Sequence, residues 1–558
     1  NLVTDATFLG TLLPPFSGVA PGAWLMSYRV FYASVRGDGS FHTAEGISAL
    51  EDLVKDGADV VNNSWGGGPG GIGAPFDAID NALVNAAKAG VFVSMSNGNA
   101  GPNLGTGDHP SPDYINVAAS TTSGTYASGR VGQFGPSPIT DAAKYNVAFA
   151  SFGANIISGQ QLVQDYIAAA VISPTNTTGC AAFGANAFQG KTALIARGGC
   201  EFGVKVLNAE NAGASFAVVY NSAAGGDGLI NMGPGAVGDQ ATIGSIFVGR
   251  TGGLSLEGFA AAHPNDAKLV VDTQGFQAGN TPDMIINFSS RGPSTRNSLK
   301  PDIAAPGVNI MAQGYGDGGG EARHLGYGQV SGTSMASPHV AGSAALLRAK
   351  YPTWSNDAIK SALMSTSKYM DMWNFDGSPA QPTDMGAGRL DVGAAMNPGV
   401  LLNPPAADFG LIYTGTAKLG REIEVTNVTT HAETYNISTL YTGNGFAPTQ
   451  TTGLAGVTVS PSSLTLNPGE KKTVIVSFDP ALGMGIGINQ GYIVMQGDDH
   501  KAHLPMFARV APGLGQADVL LIDVDLSPRY ADYSGYYMQT LTNLEVSYEY
   551  LDWWDFAI

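Results

Sequence analysis

Gly332-Thr333-Ser334-Met335-Ala336-Ser337-Pro338-His339-Val340-Ala341-Gly342 sets a serine at the head of a run of small, helix-compatible residues. A serine hydroxyl is a poor nucleophile at neutral pH. It attacks only where a base can take its proton and donors await the developing oxyanion. In the first turn of a helix, Ser334 has unbonded backbone N–H groups and the positive end of the helix dipole beside it. Gly332, Ala336, Ala341 and Gly342 let such a helix run close to its neighbours, and Pro338 is expected within the first turn, where no N–H is needed. The same residues also describe a buried helix start with a capping serine.

A second constellation is Ser96-Asn97-Gly98-Asn99-Ala100-Gly101-Pro102. It follows an expected strand at residues 91–95, and open α/β sheets place their ligands at the carboxyl ends of strands. There Asn99 can aim its side-chain N–H at an oxyanion. Taken singly, the segment is an ordinary Asn/Gly turn.

The elements that would carry these residues are legible from periodicity. Residues 24–31 read as a strand, Ile47, Leu50 and Val54 as a helix ending at Gly57, and residues 59–64 as a second strand. Phe76, Ile79, Leu83 and Ala87 mark another helix, closed by Gly90, before the strand at 91–95. Strand, helix, strand, helix, strand predicts a parallel sheet. Between about 136 and 278 the texture turns to short β-rich runs around one helix, Val204 to Ala212, and the first pattern resumes at 284–288. It continues through a long helix after Ser334 and another from Asn356 to Ser367. Residues 400–511 alternate with period 2 between Pro and Gly turns, the signature of a β-sandwich. A fresh strand-helix-strand unit starts near residue 518.

Composition narrows the function. With 558 residues the chain has room for three or four domains. Lys plus Arg number 27 against 45 Asp plus Glu, a net charge of −18, which repels a phosphate backbone and excludes most nucleic-acid binders. No apolar run approaches the about 18 residues of a bilayer span. Only Cys180 and Cys200 are present, too few for a thiolate cluster but suited to one bridge. The low-lysine, Gly-, Ser-, Thr- and Asn-rich composition leans toward secretion to the extracellular space or cell surface.

Residues 332–342 resemble, nearly letter for letter, the nucleophile motif of the subtilisin-like serine proteases (subtilases), and residues 96–102 resemble their oxyanion-asparagine motif. Gly18-Val19-Ala20-Pro21-Gly22-Ala23, Asp56-Gly57-Ala58-Asp59-Val60-Val61-Asn62, Phe288-Ser289-Ser290-Arg291-Gly292-Pro293 and Lys300-Pro301-Asp302-Ile303-Ala304-Ala305-Pro306-Gly307 are further family-like segments in the expected order. The resemblance implies Ser334 as nucleophile and Asn99 as side-chain oxyanion donor. It also implies substrate contacts along Ser64, Trp65, Gly66 and Gly67, an edge that pairs with an extended peptide, and along Ser96, Asn97, Gly98 and Thr333. Residues 189–209 are similar to a protease-associated (PA) domain, and the period-2 region resembles a fibronectin-type-III-like domain.

The implied fold class is α/β: a subtilisin-like parallel-sheet catalytic domain in two parts, 1–135 and 280–396, with a β-rich PA-like insert at 136–279. A β-sandwich at 397–511 follows, then the start of a further α/β unit at 512–558. Cys180 and Cys200 are expected to form one disulfide inside the insert, whose β core they flank.

The departure from the family is at the amino terminus. A subtilase needs a strand-borne aspartate and a histidine in a His-Gly-Thr-His-like helix before the Gly18 segment, and only 17 residues precede it. None of His42, His109, His263, His324, His339, His431, His500 and His503 has that context. His339 lies five residues beyond Ser334, about 140° around the same helix. Asp523 superficially resembles the aspartate strand but belongs to the carboxyl-terminal unit. A docked amino-terminal fragment carrying Asp and His is therefore the expected partner, beside a protein or peptide substrate. The competing reading is a catalytically inactive subtilase-like scaffold for peptide binding or surface assembly. An α/β-hydrolase esterase is excluded, because no Gly-x-Ser-x-Gly elbow surrounds Ser334. No cofactor or metal is required by these motifs; calcium is common in the family, but no loop here has a dense carboxylate pattern. The segments 64–67 and 94–98 carry no charge, so an uncharged P1 side chain is expected.

Overall fold

The computed structural model describes residues 2–8, 11–32, 40–66, 70–134, 145–154, 156, 161–223, 225–230, 232–279, 281–315, 325–443, 453–512, 519–523 and 534–552. The chain divides into two compact units. The first comprises Asn1–Asp56, Ser120–Phe288 and Pro306–Met335; the second comprises Gly57–Ala119, Ser289–Ala305 and Ala336–Ile558.

The first unit is dominated by a closed seven-stranded barrel. Its strands run, around the ring, Gln161–Ala168, Thr192–Ala196, Phe216–Tyr220, Gly244–Val248, Tyr145–Phe149, Thr125–Phe134 and Lys268–Gly279. In chain order the barrel opens with Thr125–Phe134, ahead of the change of texture at 136. Leu194, Val218, Ile246, Leu256, Leu269 and Val271 fill one of its cores. Two long helices accompany the barrel, Phe202–Asn211 and Arg250–Ala262, where periodicity suggests only the first. The second is disguised by glycine: a Cβ on Gly253 would sit 2.0 Å from the Tyr220 Cβ, and one on Gly252 would sit 2.8 Å from the Tyr145 ring. Those glycines let the helix lie directly on the barrel. Cys180 and Cys200 are joined, with Cα atoms 5.7 Å apart. Beside them the buried Lys205 ammonium donates to the Thr178 carbonyl at 2.7 Å and to the Gly198 carbonyl. Burial, helped by Arg197, pushes its pKa down to about 8.

The expected strand over residues 24–31 does not form. Only Phe31–Tyr32 is a strand, paired with Ser40–Phe41, and Trp24 and Leu25 are 99% and 94% exposed. An extended run with no ladder partner gains neither hydrogen bonds nor a covered face.

In the second unit, Val60–Asn63, Phe92–Ser96 and Ile115–Ser120 form parallel pairs in that order, with Ile303–Pro306 also beside the third. Phe92–Ser96 is buried along its whole length, as a strand covered on both faces must be. Helix Ala78–Lys88 starts where the Asp77 carboxylate accepts from the N–H groups of Ile79 and Asp80, and it buries Ile79, Leu83 and Val84. Farther along, a four-stranded sheet and a five-stranded sheet share one apolar core containing Val425, Phe478, Leu466, Met495 and Leu504. Strand Lys471–Phe478 shows the underlying alternation, with Val474, Val476 and Phe478 inside and Ile475 outside. Strands Val519–Asp523 and Tyr548–Asp552 pair in parallel around helix Ser534–Asn543. Asp523 accepts there from the Tyr550 hydroxyl at 2.8 Å, which keeps it in this carboxyl-terminal element.

Helix Thr333–Lys350 carries Pro338 at its sixth position rather than within the first turn. The proline therefore lies beyond the naturally unbonded N–H groups and cannot donate to the Ser334 carbonyl, one turn back.

Candidate functional site

Two expected segments meet in the second unit, because the strands before them are neighbours. Asn63 is in register with Met95, so residues 64–66 and 97–99 leave adjacent parallel strands at the same end. The Asn99 loop is tied down by Asn97 and Ser290. Asn97, fully buried, donates from its side chain to the Ser290 carbonyl at 2.7 Å. The Ser290 N–H donates to the Gly98 carbonyl, and the Ser290 hydroxyl accepts from the Ala100 N–H, both at 3.0 Å. Gly98 has φ +99°, and a Cβ there would fall 2.9 Å from the Ser290 hydroxyl. Only glycine fits this backbone and this approach. The result is an exposed Asn99 on a fixed loop, with Ser96 and Asn97 buried beneath it.

Ser64 accepts from the Asn62 side chain at 3.0 Å, and Gly66 is exposed. Gly67 lies outside the described residues. Against this segment the structure sets two ionisable residues that sequence reasoning missed. Asp108, 7% exposed, brings Oδ2 within 2.7 Å of where a Gly66 Cβ would be. His109, in the left-handed region at φ 56°, stands edge-on to Trp65 with its Nε2 3.3 Å from the Trp65 carbonyl oxygen. Its ring also reaches Asp108 at 3.5 Å and Asp80 at 3.9 Å. The neighbourhood of Gly66 is therefore not charge-free. The signal was present in the sequence: Asp108 is the lone Asp, Glu, Lys or Arg between Lys88 and Asp113.

A buried ionic knot underlies this loop. Asp302 Oδ2 accepts from Lys300 at 2.6 Å and from the Asn116 N–H at 2.7 Å, while Oδ1 accepts from Lys360 at 2.9 Å. Asn116 in turn donates from its side chain to the carbonyls of Asp108 and His109, both at 2.8 Å. Burial opposes the charge of Asp302, but the two ammonium groups and the Asn116 N–H outweigh it and hold the carboxyl below its usual range. Burial pushes Lys300 down to about 8 despite Asp302.

Ser334 and Thr333 fall in the first unit, Ser334 partly exposed at the second helical position and Thr333 fully buried. The strand end before them is fixed by the Gly332 N–H on the Gly307 carbonyl at 2.8 Å and by the Asn309 N–H on the Ser331 hydroxyl at 2.9 Å. An exposed hydroxyl in the first turn of a helix can act as a nucleophile whose products feel the positive end of the dipole. His339 follows in the same helix five residues on, so its side chain projects from another face.

The comparisons with known proteins agree with these motifs. The Subtilase family profile, Peptidase S8, matches residues 4–389. The chain is 32% identical over 409 residues to Subtilisin-like protease SBT1.6 of Arabidopsis thaliana, covering 70% of this chain and 51% of that one. It is 29% identical over 457 residues to Minor extracellular protease Vpr of Bacillus subtilis (strain 168), covering 78% and 50%. Among solved structures, the psychrophilic subtilisin-like protease Apa1 from Pseudoalteromonas sp. AS-11 aligns with a TM-score of 0.27 at 19% identity, over 63% of this chain and 72% of that one. The chain spans about half the length of the curated relatives it matches. With the family profile extending over residues 4–389, including both the Asn99 and Ser334 motifs, this chain belongs to the subtilase family.

Proposed function

We propose that the chain carries the nucleophile and the oxyanion donor of a secreted serine endopeptidase. The Ser334 hydroxyl attacks the scissile carbonyl, the amine leaves, and water releases the acyl group from Ser334. The Asn99 amide and the Ser334 N–H stabilise the oxyanion in both steps. The observation that carries this reading is Ser334 at the second position of helix Thr333–Lys350, in an intact family motif. Residues 64–66 hold the extended substrate as an added strand. The seven-stranded barrel is the PA-like insert, and the two-sheet region is the fibronectin-type-III-like domain. The Cys180–Cys200 bond favours an oxidising, extracellular setting, in keeping with the name of the Bacillus subtilis relative, Minor extracellular protease Vpr.

The imidazole and carboxylate of the triad are assigned to a preceding segment that docks on this chain. The exposed side chains of Trp24, Leu25 and Met26, in a run whose pattern calls for a strand, support that docking. Paired with a neighbouring strand, this run would gain a ladder and a covered face. A fluorophosphonate probe applied to the native protein tests the reading: an adduct on Ser334 is expected. Well-folded native material, with any amino-terminal fragment retained, that gives no adduct would make the chain an inactive peptide-binding scaffold.

A further inference from the structure

Far along the chain, two turns at one end of the two-sheet region place two imidazoles and two carboxylates together. One turn joins strand Leu419–Asn427 to strand Glu433–Leu440 and carries His431. The other closes the hairpin of Gly487–Gln496 and Lys501–Ala511 and carries Asp499 and His500. Among the described residues, His431, Glu433 and His500 each offer a ligand atom, and these atoms all lie within 4.8 Å of one another. Asp499 joins them, its Oδ2 3.0 Å from His431 Nε2.

We propose that His431, Glu433, Asp499 and His500 form a binding site for a zinc-like divalent cation, which ties the two turns together. The donor set selects the metal class. Two imidazoles with two carboxylates suit zinc and its transition-metal neighbours, whereas calcium and magnesium take oxygen alone. Bonds of about 2.0–2.2 Å to a tetrahedral ion put the ligand atoms roughly 3.3–3.6 Å apart. Two of the present spacings are 2.9 and 3.0 Å, the atoms of His431, Glu433 and His500 lie within 4.8 Å of one another, and the exposed His431 side chain can turn to adjust them.

The supporting shell is already in place. The His431 carbonyl accepts from the buried Asn427 side chain at 2.9 Å and from the Thr429 hydroxyl at 2.8 Å, which fixes the first turn. Glu433, 3% exposed, accepts from the N–H groups of Asp499 and His500 and from the Tyr435 hydroxyl. His500 Nδ1 lies 2.9 Å from Glu433 Oε2, so in the metal-free state a proton occupies the place the cation would take. Binding at Nδ1 moves that proton to His500 Nε2, which becomes a donor toward the Asn397 amide, now 3.2 Å away, whose oxygen turns to accept. Ligands spread over His-x-Glu and Asp-His, 67 residues apart between Glu433 and His500, make no contiguous motif, which is why the sequence showed no metal site.

The test uses the full chain stripped with a chelator and titrated with zinc chloride by calorimetry. One equivalent is expected to bind, and cobalt substitution is expected to give a tetrahedral absorption spectrum. His431→Ala removes an exposed ligand without disturbing the core and should weaken zinc binding by at least about tenfold while leaving the metal-free melting temperature unchanged. Asp499→Asn should weaken it as well. No saturable zinc uptake by folded protein, uptake indifferent to His431→Ala, or a response to calcium instead would each overturn the assignment and leave two ion pairs in its place.

Discussion

Replacing Asp302 with Asn removes a carboxylate that directly bonds both Lys300 and Lys360 while preserving its shape. Breaking a buried pair from one side typically costs about 3–5 kcal/mol, because an uncompensated charge stays behind. Without Asp302, which holds the Lys300 pKa up against burial, Lys300 can shed its proton and escape part of that cost. Lys360 keeps the carbonyls of Pro112 and Tyr114, at 3.0 and 2.8 Å, but loses a charge-assisted bond worth about 1.5–3 kcal/mol. Hydrogen–deuterium exchange of strands Phe92–Ser96 and Ile115–Ser120 reads the local opening free energy without requiring the whole chain to unfold in one step. Adding Lys300→Met to Asp302→Asn should recover at least about 1 kcal/mol, since one orphaned cation becomes an apolar side chain. A loss below about 1 kcal/mol for Asp302→Asn, or a double variant no more stable than the single, would refute the knot as a charge-balanced support.

Asn99→Ala should lower kcat about 100- to 1000-fold with KM nearly unchanged, in the complete enzyme on a peptide substrate. A KM effect at constant kcat would instead make Asn99 a substrate contact. Ser290→Ala deletes the acceptor of the Ala100 N–H and should cost roughly 2- to 10-fold in kcat, and a loss as large as that of Asn99→Ala would show that loop position outweighs the amide itself. His503, buried with Nε2 donating to the Ala387 carbonyl at 2.7 Å, has its pKa pushed down to about 4 by burial. Between pH 6.5 and 4 the unfolded chain binds a proton that the fold refuses, so stability falls as pH falls by up to about 1.4 kcal/mol per unit. His503→Gln should flatten the melting-temperature profile in that window, and an unchanged acid slope would contradict it. Replacing Cys180 and Cys200 with Ser should destabilise the barrel by about 3 kcal/mol, since the bridge spans a separation of 20 residues, and calorimetry that finds no shift would count against this.

The parallel strands and their helices were readable because Val91, Phe92, Val93 and Met95 make a short apolar run and because helices such as Ala78–Lys88 bury one stripe. The Ser334 and Asn99 motifs were readable because they are local. What escaped depends on contacts that spacing does not report. Helix Arg250–Ala262 looked like loop because the glycines that fit it to Tyr220 and Tyr145 also erase its periodicity. The strand pattern at residues 24–31 is real, yet pattern cannot create a ladder partner. Asp108 is placed against Gly66 by a loop whose path is set by Asn116, eight residues on.

The barrel's outermost residues are partners: Thr125 faces Gly279 across one antiparallel ladder. Chain that enters and leaves through adjacent strands crosses a gap of only about 5 Å. Just outside it, the Thr121 N–H donates to the Met284 carbonyl at 2.8 Å, and the Met284 N–H returns a bond to the Thr121 hydroxyl at 3.0 Å. The polypeptide that hosts the barrel therefore sees a doorway of fixed width whatever lies beyond it. Modules of different size, or a two-residue turn, can occupy that doorway by recombination without stretching the host, and the barrel is free to diverge at its own pace.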